Sequence, residues 1–204
     1  MVATYVPDDP RMLTAIIHTH ESERTLIPTL AALVPGSTAG IVAEVIIADG
    51  GSRDATAEIA EEAGCRLMVS TGSVGARLGE AAAAARSPWL LFLRPGSVPD
   101  VTWVTEVARF VEQTQLAGKA ETLAAVFRQA PAPGSARPVL IEALALLASA
   151  LGARPRPQQG LLIAKSFYRS LGGHPVIENP EAGFLRRVGR RRLTLLRSGI
   201  MGLD

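Results

Sequence analysis

The run Glu44-Val45-Ile46-Ile47-Ala48-Asp49-Gly50-Gly51-Ser52-Arg53-Asp54-Ala55-Thr56 sets a carboxylate, two glycines and a hydroxyl at the end of an apolar stretch. Val45, Ile46 and Ile47 are β-branched and suit a strand buried on both faces. Gly50 and Gly51 allow positive φ or the close approach of another backbone. Ser52 or Asp54 can cap the helix that follows. A strand ending in a carboxylate, a glycine turn and a helix N-terminus is where open α/β sheets bind ligands. A well-capped turn without a ligand needs the same residues, and taken alone they favour that plainer reading. Four further groups could do chemistry: Glu21 after the first strand, Arg77 in Gly75-Ala76-Arg77, Arg94 in Arg94-Pro95-Gly96-Ser97, and the carboxylates Glu178 and Glu181 around Pro180. Each has its plain alternative. Glu21 can be a first-turn residue that complements a helix dipole, Arg77 a surface cation, Arg94 a strand-end residue, and Glu178 and Glu181 loop carboxylates. His18, His20 and His174 are not at metal-ligand spacing, and His18 and His20 are read as facing opposite ways.

Strands alternating with helices must position these residues. Strands are expected over 13–17, 41–48, 65–70 and 89–93, with helices over 25–33, 54–63 and an alanine-rich 76–86. Pro35-Gly36-Ser37 is expected to end the first helix, and Arg94-Pro95-Gly96-Ser97 to end the fourth strand. This alternation predicts an α/β fold, a doubly wound and mostly parallel sheet with flanking helices and right-handed crossovers. The second half is less regular, with helices expected over 101–115, 139–151 and 167–171 and strands over 122–129 and 161–164.

Composition sets the outer limits. The 204 residues suit one domain, and 48% hydrophobic with 20% charged residues is globular and on the apolar side. A net charge of +2 does not argue for nucleic acid. The single cysteine, Cys65, excludes an internal disulfide and reads as a buried structural thiol in a reducing compartment. The N-terminus does not read as a signal peptide, and no apolar run reaches the ~18 residues of a spanning helix. Arg186, Arg187, Arg190, Arg191 and Arg192 have three readings. They form a solvated helix face, attract anionic lipid headgroups at ~1 kcal/mol per residue, or bind nucleic acid, for which no aromatic interleaving speaks.

Taken in order, these motifs resemble the family-2 glycosyltransferases and their nucleotide-diphospho-sugar transferase (GT-A) fold, and within them a small bacterial subfamily. His20-Glu21 stands where that group has Asn-Glu, and Asp49-Gly50-Gly51-Ser52-Arg53-Asp54-Ala55-Thr56 follows its Asp-Gly-Gly-Ser-x-Asp-x-Thr. The loop, alanine-rich helix and Leu-Leu-Phe-Leu strand over 72–93 follow in spacing. So do Gln159-Gly160, Leu171-Gly172-Gly173-His174-Pro175, Glu178 and the basic Leu185 to Arg190. The resemblance spans about residues 12–197.

What the resemblance implies is sugar transfer at the carboxyl edge of the sheet. Glu21, Asp49, Gly50, Gly51 and Ser52 would meet the base and ribose of a nucleotide sugar, and Arg77 its phosphate. Residues 1–100 would form the nucleotide-binding half of a single domain and 101–204 the acceptor side. The departures bear on mechanism. Gly96 stands where the family has an acidic residue that holds Mg²⁺ or Mn²⁺, so Arg94 would neutralise phosphate instead, or the site has decayed. Gly79 and Gln158 replace an Asn and an Asp. The general base falls near Glu178-Asn179, which leaves Glu178 or Glu181. The expected activity is transfer from a uridine or guanosine diphospho-sugar to an unassigned acceptor, with a weak need for metal and Mg²⁺ or Mn²⁺ left open. A lipid-linked acceptor at the membrane surface and a cytoplasmic place peripheral to the inner membrane go with it. The alternatives are a degenerate homologue that binds nucleotide sugar or a protein partner without turnover, and a nucleotidyltransferase. The last ranks lowest, because no Gly-rich basic loop follows the first strand.

Overall fold

In a computed structural model, the structure describes residues 12–130 and 155–203. In chain order the elements are β1 (Leu13–Thr19), α1 (Glu23–Thr38), β2 (Val42–Asp49), α2 (Thr56–Glu62), β3 (Arg66–Val69), α3 (Val74–Ala84) and β4 (Trp89–Leu93). Then come β5 (Ser97–Pro99), α4 (Trp103–Leu116), β6 (Ala124–Gln129), β7 (Leu161–Ala164), α5 (Lys165–Ser170), α6 (Pro180–Val188) and β8 (Leu193–Gly202).

Ile16, Ile17, Ile46, Ile47, Leu90 and Leu91 are buried without measurable exposure. Unbroken apolar runs of this kind belong to parallel strands covered on both faces, and each such side chain contributes roughly 1.5–3 kcal/mol on burial. They form the centre of one eight-stranded sheet in the order β3-β2-β1-β4-β7-β6-β8-β5. The first four strands are mutually parallel, as their alternation with helices predicts. The other half is mixed: β4–β7, β7–β6 and β8–β5 are antiparallel, and β6–β8 is parallel. Register aligns the carboxyl ends that matter. Thr19 stands opposite Asp49, and Ile17 opposite Leu93. The turns after β1, β2 and β4 therefore open on one edge of the sheet.

Three expectations need correction. Helix α1 does not end at Pro35 but runs to Thr38. Gly36 is instead the point where Trp103 lies against α1: a Cβ there would stand 2.4 Å from the indole Cη2. The Trp103 Nε1–H also donates to Ala32 O at 3.0 Å. Ser97 does not only stop β4; it begins the short strand β5. The arginines over 186–192 do not share one helix face. Helix α6 ends at Val188, and β8 enters the sheet between β6 and β5. Asp100 anchors it, accepting from Ser198 Oγ at 2.8 Å and Gly199 N at 2.6 Å. The helix expected over 139–151 lies outside the described residues. Cys65 is half-buried, and burial raises its thiol pKa. Among the described residues no helix is long and apolar enough to cross a membrane.

Candidate functional site

The turns after β1 and β2 are bound to each other residue by residue. Asp49 is buried, and its carboxylate accepts four hydrogen bonds. They come from Thr19 Oγ1 at 2.7 Å, Gly51 N at 2.8 Å, Ser52 N at 2.7 Å and Ser52 Oγ at 2.6 Å. Burial alone would raise its pKa, but the bonds from Ser52, Thr19 and Gly51 outweigh it and hold the group below the usual carboxylate value. Glu21 takes a positive φ of 49°. Its N–H donates to Ser52 Oγ at 2.9 Å, and its Oε1 accepts from Arg53 N at 2.8 Å. Glu23 and Asp54 continue the seam through Glu23 N to Asp54 Oδ2 at 3.0 Å and Ala55 N to Glu23 Oε2 at 3.2 Å. Glu21 and Asp49 are thus neighbours bridged by Ser52. Asp49 spends its oxygens on the turn, while Glu21 stays exposed on the rim.

Beneath this seam lies Arg77, only 6% exposed. It comes from the second turn of α3, whose first turn is capped by Ser73. Its Nη1 donates to Thr19 O at 2.9 Å and touches Ala48 O at 3.4 Å, carbonyls at the carboxyl ends of β1 and β2. Its Nε has no partner, and no carboxylate pairs with it among the described residues. Gly50 makes the room, since a Cβ there would stand 2.3 Å from Arg77 Nη1. Gly50 is therefore needed for close approach, and Gly51 for its positive φ of 82°.

Arg77 lines a cleft of about 480 Å³ with His18, His20, Ser22, Val74, Arg94, Pro95, Glu178, Asn179, Pro180 and Glu181. This falls within the ~300–1,000 Å³ typical of small-molecule sites. The far wall is an ion pair. Arg94 Nε donates to the two Glu181 oxygens at 3.0 and 2.9 Å, and Nη2 also donates to Glu181. His18 Nε2 stands 3.5 Å from Glu181 Oε2, too far for a hydrogen bond, and is itself buried without a partner. Burial of Glu181 raises its pKa, yet His18 and Arg94 overcome that and bring it down to about 2. Glu178 is exposed and makes no ion pair among the described residues. Asn179 is the N-cap of α6 and accepts from Ala182 N at 3.3 Å.

Behind this wall, Tyr168 OH lies 2.8 Å from His174 Nδ1 and accepts from His174 N at 3.0 Å. Burial lowers the His174 pKa to about 4 and raises that of Tyr168 to about 12.

The structure thus gathers Arg77, Arg94, Glu178 and Glu181 around one cleft and places the Glu21 and Asp49–Ser52 seam at its edge. Sequence reasoning missed His18 and the first turn of α3. Residues two apart in a strand share a face, and His18 and His20 both line the cleft, so the opposite-face reading is corrected. That period was the signal that could have found His18.

The position where the resemblance expects an acidic metal ligand is Gly96, which brings no side chain. Mg²⁺ and Mn²⁺ want hard oxygen ligands, and among the described residues no three His, Cys, Asp or Glu side chains cluster as ligands. Gly96 has φ +83°, and its N–H donates to Thr25 O at 2.8 Å while its carbonyl accepts from Leu203 N at 2.9 Å. A Cβ at Gly96 would stand 2.2 Å from Leu203 O, so even an acidic side chain there would not fit. The nearby cations Arg77 and Arg94 oppose a third positive charge.

The comparisons with known proteins agree with this fold. TarS 1-349 of S. aureus shares 16% identity at a TM-score of 0.67, over 94% of this chain and 60% of that one. It has also been solved with UDP and with UDP-GlcNAc. Glucosyl-3-phosphoglycerate synthase from Mycobacterium tuberculosis, solved with Mn²⁺, UDP and glucosyl-3-phosphoglycerate, shares 17% identity at a TM-score of 0.64. That match covers 91% of this chain and 69% of the other. The chain thus spans about 60% of TarS 1-349. At such identities the likeness shows the fold alone. No curated protein matches the chain. The family model described as "Glycosyl transferase family 2" matches residues 14–126, which run from β1 through β6 and carry both bound turns, Arg77 and Arg94, and so this chain belongs to glycosyltransferase family 2.

Proposed function

We propose that the chain transfers a sugar from a uridine or guanosine diphosphate donor to an acceptor hydroxyl by direct displacement at the anomeric carbon. The observation that carries this is the cradle at the sheet's carboxyl edge. Arg77, buried with an unpartnered Nε, shares one cleft with Arg94 and the N-terminal turn of α3. Two guanidinium groups and a helix N-terminus suit a diphosphate. The base and ribose lie toward Glu21 and the Asp49-Gly50-Gly51-Ser52 turn. Residues up to 100 serve the nucleotide, and those after it the acceptor. The UDP and UDP-GlcNAc complexes of TarS favour a uridine donor.

In the reaction, Arg77 and Arg94 stabilise negative charge on the leaving diphosphate. Glu178 takes the acceptor's hydroxyl proton as that oxygen bonds the anomeric carbon, and the bond to the diphosphate breaks with its electron pair on the leaving group. Of the two cleft carboxylates, Glu178 is the freer to meet an acceptor, because both oxygens of Glu181 are engaged by Arg94. Calorimetric titration with UDP, GDP, ADP and uridine tests the donor. Micromolar UDP or GDP binding is expected, and silence across the panel with folded protein refutes the reading.

A second reading, nucleotide-sugar binding without turnover, draws on the engagement of Arg94 by Glu181 and on the glycine at position 96. Release of UDP from a UDP-sugar panel, followed by ³¹P NMR, separates the two. The acceptor we propose is lipid-linked. Val176 and Ile177 are 72% and 47% exposed immediately before Glu178, and exposed Arg186, Arg190 and Arg191 follow on and after α6. Co-sedimentation with anionic vesicles but not zwitterionic ones is the expected result.

A further inference from the structure

We propose that Glu181 occupies the phosphate seat on Arg94, and that an incoming donor diphosphate displaces it toward His18. This rests on the donor-binding reading above. A guanidinium fork that grips two carboxylate oxygens also matches two phosphate oxygens. Arg94 presents its Nε and Nη2 edge to Glu181, and both residues line the cleft that holds Arg77 and the first turn of α3. A diphosphate bridging the two arginines therefore meets a carboxylate already in place. If it took only the outer nitrogen of Arg94, phosphate and carboxylate would stand side by side. Two like charges held side by side in a partly enclosed cleft repel one another. Exchange avoids this cost.

The structure holds a second seat for the released carboxylate. His18 Nε2 is buried, lacks a hydrogen-bond partner, and stands 3.5 Å from Glu181 Oε2. A small side-chain rotation converts that approach into a hydrogen bond. Glu181 is well placed for such a motion, because Asn179 caps α6 and Pro180 fixes its first turn, so the side chain can move while the helix stays. The pair then acts as a gate for ligand charge. A nucleoside without phosphate gives Arg94 no reason to leave Glu181, and a diphosphate does. His18 and Glu181 are positioning residues in this account, and Arg94 is the group that meets the donor.

The test is calorimetric titration of UDP and uridine into the wild-type protein and the Glu181→Gln, Arg94→Gln and His18→Ala variants. Glu181→Gln is expected to bind UDP about 10-fold more tightly, equivalent to about 1.4 kcal/mol, and uridine with unchanged affinity. Arg94→Gln and His18→Ala are expected to weaken UDP and spare uridine. UDP binding that is unchanged or weaker in Glu181→Gln overturns the exchange while leaving donor binding intact. Unchanged UDP affinity in His18→Ala overturns the second seat. Silence of every protein toward UDP overturns a uridine donor and the exchange onto it together. The wild-type chain offers a readout that needs no variant. The ¹H–¹⁵N resonance of Arg94 Nε is expected to move on addition of UDP and to stay in place with uridine. A resonance that UDP leaves unmoved while it binds overturns the exchange.

Discussion

Arg77 holds a full positive charge almost out of water, and Gly50 is the residue that leaves it space. A buried charge without a counter-ion is costly, so the carbonyls of Thr19 and Ala48 are its local support. Gly50→Ala places a methyl where Nη1 now lies. UDP affinity is expected to fall at least about 10-fold, or about 1.4 kcal/mol, with the fold retained by circular dichroism; undiminished affinity contradicts the role given to Arg77. Glu178→Gln is expected to reduce kcat about 10²–10⁴-fold, the usual weight of a general base, with little effect on UDP binding. Equal turnover by this variant removes Glu178 from the chemistry. Acid should undo the cleft in two stages. His174 is lowered from 6.5 to about 4 by burial, and Glu181 from 4.5 to about 2 by His18 and Arg94 against the opposing effect of burial. Both groups bind a proton more readily in the unfolded chain, so stability is full above the unfolded values and declines as pH falls. The His174 share is lost between pH 6.5 and about 4, and the Glu181 share between 4.5 and about 2. Urea midpoints measured against pH are expected to show a shallower lower limb in Glu181→Gln. An identical limb contradicts the assignment.

Helices α3 and α6 form the two lips of the cleft, and they meet at glycine. A Cβ at Gly75 would stand 2.2 Å from Pro175 O and 3.1 Å from Pro180 Cβ, and one at Gly183 would stand 2.7 Å from Ile177 Cδ1. Gly75→Ala is expected to force the lips apart, costing roughly 1–3 kcal/mol as an overpacked contact and weakening UDP. Thermal denaturation and titration on one sample check both effects, and a variant equal to wild type in both contradicts the close approach. Strands β1 and β4 could be read from sequence because each is a short apolar run buried on both faces, and β2 because its apolar end runs into Gly50-Gly51. Strand β8 could not. Leu195 is exposed while Leu196 and Ile200 are buried, and a register shift in its pairing with β6 breaks the alternation. The arginines before it also continue a helical charge pattern. Helix α1 was cut short for a related reason: Pro35 and Gly36 read as a stop, whereas a tryptophan 67 residues along the chain packs on the glycine.

Across the whole molecule, the sheet order brings the ends of β1, β2 and β4 together and sets the mixed half beside them, so that α6 can close over the parallel half. Glu21, Asp49 and Arg94 stand at or just after strand ends that the sequence marks, whereas Arg77 lies inside α3. The sequence does not mark their partners. The Arg94–Glu181 pair joins residues 87 apart, and the Arg77 contact with Thr19 O residues 58 apart, distances that no local pattern encodes. Asp49 shows the same limit, since its carboxylate looked open in sequence and is filled by its own turn. What unites these observations is one cleft that brings Arg77 and Arg94 together. The most direct measurement is a crystal structure of the chain soaked with UDP. The account predicts the diphosphate between Arg77 and Arg94, with Glu181 turned from Arg94 toward His18. UDP bound elsewhere, or bound in the cleft with the Arg94–Glu181 pair intact and no phosphate contact to Arg77, would contradict it.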